Sequence, residues 1–188
     1  MSHVKTDKLS ARTPSGTITL GESGETLTIP SGVVLTNNGT ASGFGGNNTP
    51  AFYVQNTGSV SITNQVYTKI TFNDVVFDTD SGYDNVTNHR YTVPTGEGGK
   101  YLIGASLTLS STDKVYGAAV GIQKNGSYVS NLRLDQGSTA NGVRTGIHDS
   151  RVFELSAGDY LEIYGFLWGP GTLTCSDSPT FFGFKLVE

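Results

Sequence analysis

Nowhere in this chain do apolar residues fall at the i, i+3, i+4, i+7 spacing of an amphipathic helix. They recur at every second position in short runs. A period of two sends successive side chains to opposite faces, which is the geometry of a half-buried strand. Runs of this kind lie at 51–55, 68–72, 89–93, 100–109, 116–124, 127–134, 149–155, 160–166 and 180–187. Turn chemistry divides them. Lys124-Asn125-Gly126-Ser127 sets an Asn-Gly pair between two alternating runs, a strong short-range hairpin signal. Ser156-Ala157-Gly158-Asp159 reads as a second tight turn. Many short strands at this spacing predict an all-β sandwich or barrel.

The N-terminal part carries a thinner version of the pattern. Residues 17–20, 26–29 and 33–36 alternate over very short pieces, separated by Gly-Glu-Ser-Gly-Glu and Pro-Ser-Gly. Pieces this short bury little alone, so they call for a partner chain or repeated copies. Residues 37–50, NNGTASGFGGNNTP, have almost no apolar side chains and read as a flexible linker. The expected organisation is a β-rich attachment or shaft segment over 1–45, a linker to about residue 50, and a head domain over 51–188.

Charge and cysteine content remove several function classes. The formal net charge is −4, with no block of like charge. A nucleic-acid surface needs clustered Lys and Arg to neutralise phosphates, and a polybasic membrane patch needs the same. No run reaches the ~20 apolar residues of a membrane-spanning helix. Residues 1–8, MSHVKTDK, lack the apolar core of a signal peptide, so synthesis in the cytoplasm without signal-peptide export is expected. Cys175 is the single cysteine, which leaves no disulfide within one chain and no Cys-based zinc site.

Candidate chemistry is sparse. Asp78, Asp80 and Asp84 alternate around Gly82 in an oxygen-rich loop of the kind that can wrap calcium. No Glu closes the loop, no helices flank it, and a structural turn explains the same residues. His148-Asp149-Ser150 holds the residue types of a hydrolase triad, but adjacent strand positions point to opposite faces and cannot converge. Gly43–Asn48 lacks the βα context and Lys-Ser/Thr of a phosphate loop. The chain is expected not to be an enzyme. No catalytic, cofactor-binding or metal-binding residue is assigned, and no cofactor.

From Phe72 to Ala105 the residues become more specific. Phe72, Asp78, Tyr83-Asp84, Tyr91, Pro94 and Gly99-x-Tyr101 occur in the order of a known signature. Lys124-Asn125-Gly126, Leu155 with Gly158-Asp159, and Phe181-Phe182-Gly183-Phe184 extend it to the last strand. The pattern resembles the globular-head family of complement C1q, relatives of tumour necrosis factor. Ile103 and Ala105 stand where that family carries aromatics, so its ligands are not carried over. The resemblance implies a ten-strand-type jelly-roll sandwich and assembly as a homotrimer about an apolar axis. Phe72, Tyr101 and Phe184 would be buried between the sheets. The stretch 160–168, YLEIYGFLW, is richer in aromatics than a solvated strand requires, which suits an assembly surface.

The N-terminal text SGTITLGESGETLTIPSGV also resembles repeats in fibre and structural proteins of marine phages. Together with the missing signal peptide, this predicts a bacteriophage virion fibre or appendage. Its N-terminal segment would engage other virion proteins, and its head would meet a host glycan or protein, at loops such as 135–144. Two alternatives stay open: a capsid-decorating or head-fibre protein that stabilises the shell, and a cellular bacterial carbohydrate- or protein-binding module.

Overall fold

The computed structural model describes residues 9–11, 16–34, 36, 48–135 and 141–186. The chain divides into two compact units, residues 1–42 and 43–188. The second unit forms twelve strands, most of them within the period-two runs. They are β1 (Ala51–Gln55), β2 (Val60–Ser61), β3 (Thr68–Lys69), β4 (Asp74–Asp78), β5 (Tyr83–Asp84), β6 (Arg90–Thr92), β7 (Gly99–Ser111), β8 (Gly117–Lys124), β9 (Ser127–Asp135), β10 (Arg144–Leu155), β11 (Tyr160–Trp168) and β12 (Leu173–Lys185). They form two six-stranded sheets. Sheet A runs β10-β7-β12-β1-β4, with β2 on β12; sheet B runs β5-β6-β11-β8-β9, with β3 on β11. All pairings are antiparallel. This is the expected all-β jelly-roll sandwich, and among the described residues no helix is long and apolar enough to cross a membrane.

The core follows from the alternation. Leu161, Ile163 and Leu167 of β11 face Ile103, Leu107 and Leu109 of β7 across the gap between the sheets, all fully or nearly fully buried. At one end aromatics fill the gap. Phe52 stacks on Tyr91 at 4.1 Å and meets Phe181 edge-on at 4.9 Å. Phe72 packs on Phe181 at 5.7 Å. Each such ring removes roughly 150–250 Å² from water. Phe72 and Tyr101 are buried as expected, but Phe184 is not a core residue. The register places Phe181 inward, so Phe182 and Phe184, on alternate positions, point out of the sandwich.

Several strands differ from their sequence expectation. Only Thr68–Lys69 of the 68–72 run is strand, although Ile70 N still donates to Ile163 O. β4 was hidden by its polar flanks. β12 begins at Leu173 because Ser-Asp-Ser-Pro, which reads as a loop, is a bulge with Asp177 and Ser178 at φ 60° and 54°.

The two turns flagged in the sequence clamp each other. Asn125 Nδ2 donates to Asp159 Oδ1 at 2.6 Å, and Tyr160 N donates to Asn125 Oδ1 at 2.9 Å. Lys124 Nζ lies 2.7 Å from Asp159 Oδ2, which also accepts from Ser156 N at 2.8 Å. The Lys124 ammonium, then the Ser156 amide, hold the Asp159 carboxyl down at about 2.

The first unit is described over residues 9–11, 16–34 and 36. Among residues 16–34 and 36 no strand forms. Local order comes from turns: Glu22 N donates to Glu25 Oε2 at 2.8 Å, and Val33 N to Pro30 O at 3.2 Å. Ile18, Leu20, Leu27, Ile29, Val33 and Val34 are exposed. A four-residue extended piece becomes a strand only against a paired edge, and the described residues of this unit provide none. Most of the expected linker, residues 37–47, lies outside the described residues.

Candidate functional site

The residues that sequence reasoning weighed for chemistry are spread apart or occupied. Asp149 points into the sandwich, where it accepts from Ser130 Oγ and Arg151 Nε, while His148 and Ser150 point out to solvent. The triad types therefore lie on opposite faces. Cys175 sits in the core, where burial pushes its thiol up to about 12. His89 directs Nδ1 at Phe72 O, 3.4 Å away.

The acidic loop is a scaffold. Asp78 Oδ2 accepts from Tyr83 N at 2.8 Å. Asp84 accepts from the amides of Thr87, Val86 and Asn88, which hold its carboxyl well below the usual range. Asp80 is bonded to Thr79. Among the described residues no three metal-ligating side chains converge. A cleft of about 440 Å³ beside the loop, lined by Asp80, Gly82, Thr92 and Pro94 among others, is open and mixed in polarity.

What distinguishes the head is the outward side of each sheet. On sheet A, pairing brings Phe77, Tyr53 and Phe182 into one row across β4, β1 and β12. The neighbouring row holds Ala51, Phe184, Leu102 and Val152 across β1, β12, β7 and β10. Tyr53 and Phe77 stack at 6.2 Å. Phe182 lies flat on Gly104: a Cβ there would stand 2.5 Å from its Cζ. Phe77 and Val152 are 50% and 55% exposed. With strands ~4.8 Å apart, the patch is roughly 20 Å wide. No charged side chain interrupts these rows. Beyond them the same face turns polar, with Ser106, Thr108 and Ser110 facing outward on β7. At the edge of the sandwich, Leu132, Leu134 and Ile147 line a cleft of about 230 Å³ between β9 and β10.

Sheet B is aromatic in a different way. Tyr160, Glu162, Tyr164, Phe166 and Trp168 occupy successive outward positions of β11. Gly121 of β8 lies opposite Tyr164 and is covered by the ring of Tyr128. Tyr67 packs 5.0 Å from both Tyr128 and Phe166 and donates to Asn131 Oδ1 at 2.7 Å. Arg90 lies 4.1 Å above Tyr160, and Arg133 5.7 Å from the Phe166 ring. Lys69 Nζ meets Glu162 Oε1 at 2.6 Å. Burial, then the Glu162 charge, push the Tyr164 hydroxyl up to about 12. Nearly every ring carries a hydroxyl, an indole N–H or a guanidinium neighbour.

The sequence offered the aromatics of β11 as an assembly surface, because one strand holds that pattern, but β11 belongs to sheet B and the apolar rows lie on sheet A. Sequence reasoning missed the sheet A patch, whose members come from five strands and meet only through register. The expected recognition loop, 135–144, is only partly described, since residues 136–140 lie outside the described set.

With this geometry in view, comparisons with known proteins support the fold class. The chain is similar to the globular domain of zebrafish complement 1qA, with a TM-score of 0.53 and 20% identity over 73% of this chain and 98% of that one. That likeness establishes a jelly roll of the type seen in complement C1q and tumour necrosis factor, and nothing finer. By sequence the chain is 31% identical over 101 residues to "Uncharacterized protein YqcC" of Bacillus subtilis (strain 168). The match covers 52% of this chain and 27% of that protein, so the chain spans about a quarter of this relative's length. No known family's sequence profile matches the chain.

Proposed function

We propose that this chain is a non-enzymatic, homotrimeric binding module, carried as a fibre or appendage of a bacteriophage virion, whose head meets the host surface. The observation that carries the trimer is the uninterrupted apolar patch on the outward face of sheet A. A patch of Phe, Leu and Val exposed on a monomer marks an interface. The half-exposed leucines at the β9–β10 edge supply a second, different apolar surface. Two different surfaces make a head-to-tail contact, which closes into a ring when the rotation allows. The resemblance to complement C1q heads implies a ring of three.

The virion context is supported by the N-terminal likeness to phage fibre repeats. In this reading the protein is made in the host cytoplasm and resides in the particle. The N-terminal segment attaches to other virion proteins. The relative in Bacillus subtilis favours a second reading, a bacterial carbohydrate- or protein-binding module. Multi-angle light scattering of the full chain tests the assembly: a mass three times 19.9 kDa is expected, and a stable 19.9 kDa species at micromolar concentration refutes it. Antibody labelling of purified phage particles tests the location, and labelling confined to uninfected bacterial cells selects the second reading.

A further inference from the structure

We propose that the outward face of sheet B carries a carbohydrate-binding platform built from Trp168, Tyr116, Asp135 and Arg133 around Gly117. The inference rests on the binding-module reading and places recognition on a sheet face rather than on loops.

Trp168 is 39% exposed, although a strand facing solvent has no need of an indole. Its ring is held in place. Tyr116 meets it edge-on at 5.6 Å, and Tyr116 N donates to Trp168 O at 2.8 Å. Across β8, Gly117 pairs with both Trp168 and Asp135. A Cβ on Gly117 would stand 3.4 Å from Asp135 Oδ1 and 3.8 Å from the Trp168 ring. The indole and the carboxylate therefore border one glycine floor from opposite sides. Asp135 is oriented by Arg133, whose Nε donates to Oδ1 at 2.8 Å.

These groups match a hexose. A pyranose has a C–H face that packs on an aromatic ring and a rim of hydroxyls that donate and accept. The indole offers the electron-rich face. Asp135 accepts hydrogen bonds from hydroxyls, and Arg133 supplies further N–H donors. A protein partner would need a drier anchor, and that chemistry belongs to sheet A. A neutral polymer fits better than an anionic one, because the Asp135 carboxylate borders the glycine floor and the chain is net −4. The platform is open and shallow, so one site binds weakly and three on one axis raise the apparent affinity.

Trp168 is the only tryptophan of the chain, so emission excited at the red edge, where the tyrosines do not absorb, reports this site alone. The full chain is titrated with dextran, mannan, laminarin and galactan, with its mass measured in the same buffer. The expected result is a saturable change in Trp168 emission with at least one polymer, at roughly millimolar hexose. Asp135→Ala should weaken it by about tenfold or more, and Trp168→Ala should abolish retardation in affinity electrophoresis. No response to any polymer from a trimeric chain overturns the platform while leaving the assembly standing. A response from a monomeric chain supports the platform and refutes the assembly. Retardation that survives Trp168→Ala overturns the platform. So does an emission change produced only by a host envelope-protein fraction.

Discussion

The two outward faces of the second unit are both aromatic, yet what lies beside each ring differs. On sheet A the rows Phe77–Tyr53–Phe182 and Ala51–Phe184–Leu102–Val152 offer carbon surface with scarcely a polar group. On sheet B almost every ring has a polar handle, a guanidinium above it or a carboxylate beside it. A dry patch gains by excluding water against an equally dry surface. A wet aromatic patch keeps its water and exchanges it group by group for a polar ligand. Counting aromatics would treat the faces as equal; what lies beside each ring separates them.

The sharpest way to break the comparison is a charge on each face. Phe182→Asp with Phe184→Asp should drop the mass threefold, to 19.9 kDa by light scattering, while far-ultraviolet circular dichroism stays β-type because both side chains point outward. Trp168→Asp should leave the mass unchanged.

The glycine seats give the next largest effect. Gly104 lies in β7 between two neighbours, and a Cβ there would stand 2.5 Å from the Phe182 ring of the adjacent inner strand. Gly121→Val instead displaces Tyr128, which hangs from the edge strand β9 and is 42% exposed. Overpacking should cost about 2–3 kcal/mol at Gly104→Val and about 1 kcal/mol at Gly121→Val, read from urea unfolding midpoints. Equal losses would mean the two rings are equally constrained.

A smaller effect is confined to one end of sheet B. The Asp159 carboxyl is held at about 2, below its ordinary 3.8. Its contribution to stability is therefore complete above pH ~4 and is lost as pH falls from there through about 2. Asp159→Asn should cost about 1 kcal/mol or less at neutral pH. The variant and parent should converge in melting temperature at the acid end, with the oligomer mass unaffected. The smallest effect is Ser150→Ala, an exposed hydroxyl, which should shift stability by less than about 0.5 kcal/mol.

The fold was legible because its evidence is local. An Asn-Gly turn and runs of alternating residues announce hairpins without reference to the rest of the chain. The aromatic face of β11 was legible for the same reason. Phe184 shows where this fails. In Phe181-Phe182-Gly183-Phe184 either set of alternate positions could face inward, and only pairing with β1 and β7 decides it. The dry patch depends on that decision. The Ser-Asp-Ser-Pro bulge of β12 failed oppositely, since residues typical of loops remain inside a strand when neighbours on both sides hold its ends. The N-terminal pieces carry the alternation of strands but, among the described residues of their unit, no edge to pair with.

One feature of sheet A bears on timing. β12 lies between β7 and β1, so the sheet stays in two parts until the last strand arrives. Phe181 closes the aromatic core in the same step that Phe182 and Phe184 complete the outward rows. Contacts so distant in sequence are slow to form, because a long loop must close before they reward it. A nascent or refolding chain therefore has no finished apolar patch while its interior is still open. In the proposed trimer, maturation of the core and readiness to assemble become a single event, set by the docking of one strand.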